Sequence, residues 1–123
     1  MLTNLRGLIS NEVASGAIAD RRIVQFSGDD QVAQGTAAGV LYGVSTDVGA
    51  ADGERIDVQL DGIAPVVYGG AVTRGNRLKS DAQGRAVVAA DTAAGIGFAQ
   101  VTGVAGDIGA VLIDRTTGTA AGA

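Results

Sequence analysis

The segment Arg55-Ile56-Asp57-Val58-Gln59-Leu60-Asp61 alternates apolar and polar residues without a break. A period of two is the pattern of a half-buried β-strand, which puts Ile56, Val58 and Leu60 on one face and Arg55, Asp57, Gln59 and Asp61 on the other. Gly53-Glu54 before it and Gly62 after it supply turn residues at both ends. Short runs rich in β-branched residues recur at residues 22–26, 40–45, 64–68, 85–89, 96–102 and 108–114. Their near-regular spacing, with Gly- and Asp-containing turns between them, predicts an all-β chain: a small antiparallel β-barrel or sandwich. In Ser80-Asp81-Ala82-Gln83-Gly84-Arg85, Asp comes early and Gly late, which suits a hairpin loop built on a type I turn with a left-handed Gly.

Helical signals are weak. Residues 13–19 are interrupted by Gly16, which leaves at most one short helix or turn, around residues 70–75 or 89–94. No repeat of fixed period is visible, which disfavours a solenoid. Residues 1–16 carry Leu2, Leu5, Leu8 and Ile9 with few turn residues and are read as a first strand or an extended N-terminal arm. Residues 17–114 form the β-barrel-like domain, and residues 115–123, with nothing large to bury, form a flexible tail.

The side chains available narrow the chemistry. Of 123 residues, 20 are Gly and 22 are Ala, four are aromatic (Phe26, Tyr42, Tyr68 and Phe98), and there is no His and no Cys. Imidazole acid/base catalysis, thiol nucleophiles, disulfides and Cys/His zinc sites are thereby excluded. A formal net charge of −4 argues against a surface that neutralises phosphates, so nucleic acid is not an expected partner. The longest uncharged stretches, residues 31–46 and 92–106, fall short of the roughly 20 apolar residues of a spanning helix, and the N-terminal apolar run is too short for a signal peptide. A soluble protein made without export is expected. So light a core predicts an isolated protomer of modest stability, completed by association with neighbours.

Individual motifs have ordinary readings. Gly95-Ile96-Gly97 lacks the third glycine and the following helix of a dinucleotide fingerprint, and reads as a strand whose glycines allow close backbone approach. Lys79, the single lysine, sits beside a turn as carrier-domain lysines do, but without their flanking residues; Lys79 and Ser80, adjacent on a strand, face opposite ways. Asp29-Asp30, Asp47 and Asp52 lie in loops without the spacing of a calcium-binding loop. No catalytic, cofactor or metal site is assigned. The basic residues are eight Arg to one Lys, and Arg is favoured over Lys at protein interfaces. Arg21, Arg22, Arg74 and Arg77, together with Leu2, Leu5 and Leu8, are the candidate interface residues.

Taken in order, several motifs resemble a known family. They are Arg22-Ile23-Val24-Gln25-Phe26, Gly43-Val44-Ser45, Gly53-Glu54-Arg55-Ile56-Asp57-Val58 with Gly62-Ile63-Ala64, the stretch from Tyr68-Gly69-Gly70 through Gly75-Asn76-Arg77-Leu78, Ser80 to Ala86, Ile96-Gly97-Phe98-Ala99, and Val104 to Ile113. Across about residues 17–114 the chain is similar to the capsid cement (head decoration) proteins of tailed bacteriophages. That resemblance implies a β-barrel-like structural protein on the outer surface of the expanded head, bridging neighbouring capsomers. It also implies the major capsid protein and further copies of itself, commonly a trimer, as partners, with no catalytic residues, no cofactor and no membrane. The N-terminal segment matches least and is expected to reach a neighbouring subunit. A β-rich module displayed on a virion or cell surface, for glycan adhesion, is the alternative, and a chain with two Tyr and no Trp is poorly equipped for it.

Overall fold

The computed structural model describes residues 5–90 and 95–116. Among them the chain forms eleven strands and no helix: β1 (Leu5–Arg6), β2 (Ile9–Ala14), β3 (Ile23–Phe26), β4 (Gln31–Gln34), β5 (Leu41–Ser45), β6 (Arg55–Gln59), β7 (Gly62–Val67), β8 (Arg77–Ser80), β9 (Ala86–Val88), β10 (Gly95–Ala99) and β11 (Ile108–Thr116). Strands β2-β4-β3-β5-β6 close into a barrel, and β1-β7-β11-β10-β8-β9 form a six-stranded sheet beside it. Between these strands every pairing is antiparallel except β2 with β4, where Val13 and Ala14 lie opposite Gln31 and Val32 in parallel.

Two cores follow from this arrangement. Ala14, Ile18, Val24, Val32, Ile56 and Val58 fill the barrel. The second core lies between the sheet and the barrel wall, where Ile23, Leu41 and Val44 meet Val66, Tyr68, Leu78, Ile96 and Val111. Ile23 and Val24 are consecutive and both fully buried, because β3 has the barrel interior on one side and the sheet on the other. Where β3 pairs with β5 the register slips by one residue between Val24 and Gln25. That bulge puts Leu41 and Val44, an odd number apart, on the same side.

One turn occurs three times, at residues 51–54, 73–76 and 104–107, leading into β6, β8 and β11. In each, the fourth residue's N–H donates to the first residue's carbonyl at 3.0 Å. The third residue is Gly at φ +84° (Gly53), +95° (Gly75) and +90° (Gly106), a conformation that L side chains disfavour. The side chain of the fourth residue accepts the first residue's N–H: Glu54 from Ala51, Asn76 from Thr73 and Asp107 from Val104, at 2.7 to 2.9 Å. Each Gly N–H donates in turn to a carbonyl at or just beyond a strand end, Ala14, Ala99 and Tyr68 respectively. The same device thus fastens the start of three strands, at irregular intervals along the chain.

Of the helix or turn expected around residues 70–75 or 89–94, the structure has a turn: residues 73–76 form the second of these turns, and Val72 pairs with Gly103. Ala89 and Ala90 are not helical, and residues 91–94 lie outside the described residues. Residues 5–14 form β1 and β2, with β2 paired along β6 from Ile9 opposite Gln59 to Val13 opposite Arg55. The strand β11 continues to Thr116, and residues 117–123 lie outside the described residues. One expectation is corrected: Gln59, placed by alternation on the solvent face, is 2% exposed. Its amide reaches the carbonyls of Leu5 (3.2 Å), Asp61 (2.8 Å) and Ile63 (3.1 Å), which satisfies a buried polar group and ties β1 to the β6–β7 turn.

Pro65, the one proline, stands in β7. The Val67 N–H points away from β11, to the Arg21 carbonyl. Two residues earlier, Pro65 has the same orientation, so the edge of β7 beyond β1 offers no donor there. A proline at such a position discourages pairing with a foreign strand.

Candidate interaction face

In an antiparallel sheet, residues directly opposite each other carry their side chains on the same face. The register runs Leu5–Ile63, Ile63–Leu112, Leu112–Phe98 and Phe98–Arg77. These five residues form one row across β1, β7, β11, β10 and β8, on the face turned away from the core. Leu5 is 52% exposed and Leu112 40% exposed, while Ile63 and Phe98 are half-buried. On the same face Ile108, opposite Val67, is exposed. The local cause is legible in β11, where Val111 and Ile113 turn inward and Ile108 and Leu112 outward. Both sides of this strand are apolar; on the outward side Ile108 and Leu112 are uncovered, while Ala110 between them is buried.

A scattered exposed leucine is ordinary, whereas a contiguous apolar row with a ring in it is the kind of surface that proteins use to meet one another. Arg77 ends the row, its Nη1 donating to the Ala90 carbonyl at 3.0 Å. The row is suited to contact with another protein surface and contains no group placed for catalysis.

The structure distributes the interface residues expected from sequence unevenly. Leu5 and Arg77 come together in this row. Leu8 is exposed in the bend between β1 and β2, with its N–H held by Asp61 Oδ1 at 2.6 Å. Arg22 is stapled through Nη1 to the Gln83 carbonyl at 2.9 Å, next to the β8–β9 hairpin. Arg74 is exposed in the second repeated turn, where its N–H meets Thr102 Oγ1 at 3.1 Å. Arg21 lies where barrel and sheet join. Leu2 lies outside the described residues. Sequence reasoning assigned Phe98 and Leu112 to strands without separating them from core residues and left Ile63 just ahead of the run at 64–68; the alternation along Ile108 to Ile113 carried that signal only once one face was known to be packed.

The remaining motifs have local partners. Gly97 faces Leu112 so closely that a β-carbon would stand 2.0 Å from the Leu112 carbonyl oxygen, so the position admits only glycine. Lys79 pairs with Val87, and the neighbouring Ser80 is buried. Asp52 accepts the Gly16 N–H at 2.8 Å, and Asp47 lies 3.8 Å from Arg6. At one end of the barrel Phe26, exposed, leans on Tyr42 with ring centroids 4.7 Å apart, while the Tyr42 hydroxyl contacts Ser10 and Glu12.

A closed five-stranded barrel carrying a curled six-stranded sheet defines the chain as an all-β module with one uncovered apolar sheet face. The same fold is found in the N base of the head fiber gp8.5 of bacteriophage phi29: that crystal structure superposes with a TM-score of 0.73 at 18% identity, covering 89% of this chain and 96% of the phage chain. No family model matches the sequence, and no curated protein matches it by sequence.

Proposed function

We propose that this chain is a structural protein of a phage head that binds the outer surface of the expanded shell and holds neighbouring capsomers together. The observation that carries the reading is the likeness to a head fiber base over nearly the whole length of both chains. It agrees with the ordered strand motifs, which resemble head decoration proteins, and with an apolar row suited to protein contact. In this reading the Leu5–Phe98 row packs against the major capsid protein or a neighbouring copy, and a trimer is the expected unit on the lattice. The function is mechanical and needs no enzyme chemistry. Contacts spanning adjacent capsomers must all break before the shell opens, and a subunit that loses one contact is retained by the others. A footprint created only by expansion would restrict binding to the mature shell.

The test is to add the purified protein to heads assembled without it, before and after expansion, and image both. Regular added density on the expanded shell is the expected result. Absence of binding to either shell overturns the reading.

A further inference from the structure

At the end where β3 turns into β4, the inward face of the barrel reaches solvent. Ser10 and Glu12 stand opposite Val58 and Ile56, and Phe26 stands opposite Val32, so all three side chains share the face that carries the barrel core. Past the last buried residues this face ends in an apolar mouth. Phe26 is 54% exposed, Val40, whose carbonyl accepts the Phe26 N–H, is exposed, and Tyr42 is half-buried. Glu12 is set into the mouth, half-buried, accepting from Ser10 Oγ and from the Tyr42 hydroxyl at 3.1 Å. We propose that this mouth binds an arginine side chain of a partner protein, its guanidinium forked onto Glu12 and lying against the Phe26 ring.

Charge complementarity identifies the occupant. Among the described residues Glu12 has no cationic partner, and its two hydrogen-bond donors are neutral hydroxyls. The hairpin tip after Phe26 adds Asp29 and Asp30, both exposed and in no ion pair with a described residue. Arg55 of β6 offers nothing to the mouth: it alternates with the inward Ile56, lies on the outer wall, and donates to Asn11 Oδ1 at 3.3 Å. The charges at this end are therefore all of one sign, around an uncovered ring.

The rings select among cations. A lysine ammonium is a point charge, whereas a guanidinium is planar, gives a carboxylate two parallel N–H donors and stacks on an aromatic face. Among the described residues no three carboxylates converge to hold a metal ion, which disfavours a bare cation. The Phe26 and Tyr42 rings are inclined at 59°, a corner rather than the flat platform on which a sugar stacks. The carboxylate is also oriented in advance, because β2 is paired with β6 on both sides of Glu12 and two hydroxyls hold its side chain. An exposed ring beside exposed valine is the kind of surface that a partner covers, and arginine is prominent among the residues that anchor such contacts.

The inference does not rest on the capsid reading, and its test uses no shell. The full chain, labelled with nitrogen-15, is titrated with capped triarginine, with capped trilysine, and with maltotriose, following backbone amide resonances. The expected result is saturable shifts centred on Glu12, Phe26 and Tyr42, with triarginine bound at least about fivefold more tightly than trilysine. Glu12→Gln should weaken triarginine binding about tenfold, the loss of one charge-assisted contact. Asp57→Asn, which removes the same charge from the outer wall, should leave the affinity within about twofold. Phe26→Leu should abolish the preference for arginine, and at an exposed position it carries the test should Glu12→Gln not fold. Absence of saturable shifts, equal affinity for trilysine, shifts of the same amides with maltotriose, or equal weakening by Glu12→Gln and Asp57→Asn overturns the proposal.

Discussion

A β-carbon on Gly109 would stand 2.1 Å from Cζ of Tyr68, so the tyrosine ring occupies the space that any other residue on β11 would claim. Tyr68 is wholly buried between sheet and barrel, and the hydroxyl donates to the Val101 carbonyl at 2.7 Å. A large ring is accommodated in a light core because its neighbour has no side chain. Gly109→Ala should therefore destabilise the fold by about 3 kcal/mol or more, since over-packing a filled core forces the ring or the backbone to move. Denaturant unfolding measures this, and a loss below about 0.5 kcal/mol would show that the ring can shift at little cost.

Burial also pushes the Tyr68 phenol above its ordinary pKa of 10.0. The folded state then holds the proton more tightly than the unfolded state does. The associated stability is fully present below pH 10 and is lost as pH rises through the folded-state value. Unfolding free energy measured from pH 8 to about 11.5 should fall steeply above about pH 10. In Tyr68→Phe that alkaline decline should flatten, against a lower baseline from loss of the bond to Val101; an identical slope in the variant would assign the decline to other groups.

Strand β2 closes the barrel, pairing with β6 along five residues and with β4 along two. Deleting residues 1–14 should abolish cooperative unfolding, because barrel residues Val32, Ile56 and Val58 would lose the wall opposite them. Deleting residues 1–4 leaves every strand pair described above intact and should change the melting temperature by only a few degrees, equivalent to about 1 kcal/mol or less. Calorimetry of the two truncations separates a structural strand from a dispensable arm.

Leu112 stands in the middle of the apolar row and is 40% exposed, so Leu112→Lys should cost less than about 1 kcal/mol of stability. If the row is the docking face, occupancy on expanded shells should fall at least about tenfold, as expected for a central anchor residue. Val104→Lys, in the third repeated turn, provides a control at an exposed apolar residue outside the row. Equal loss in both variants, or in neither, would place the contact elsewhere.

Much of the strand pattern was readable along the chain. The alternation of residues 55–61 marked β6 and its inward Ile56 and Val58, and Asp81 with Gly84 marked the β8–β9 hairpin, where Gly84 has φ +75°. Strand β4 was missed because Gln31–Gln34 contains one large apolar residue, Val32, and is held in a strand by its pairing with β3 and β2. The recurring Gly followed by Glu, Asn or Asp was visible but unread, because two residues mean little until the shared hydrogen bonds are seen.

The interaction face was less legible. Leu5, Ile63, Phe98 and Leu112 are scattered along the chain, and strand alternation says only that two faces exist. Which face is packed depends on where the barrel sits, and which residues stand side by side depends on register between distant strands. Local residue preferences determined that this chain would be all-β, turn-rich and without imidazole or thiol chemistry, because those properties reside in each residue and its immediate neighbours. Barrel closure, the burial of Gln59 and the uncovered apolar row were decided by tertiary structure alone, because each exists only where segments remote in sequence share a surface.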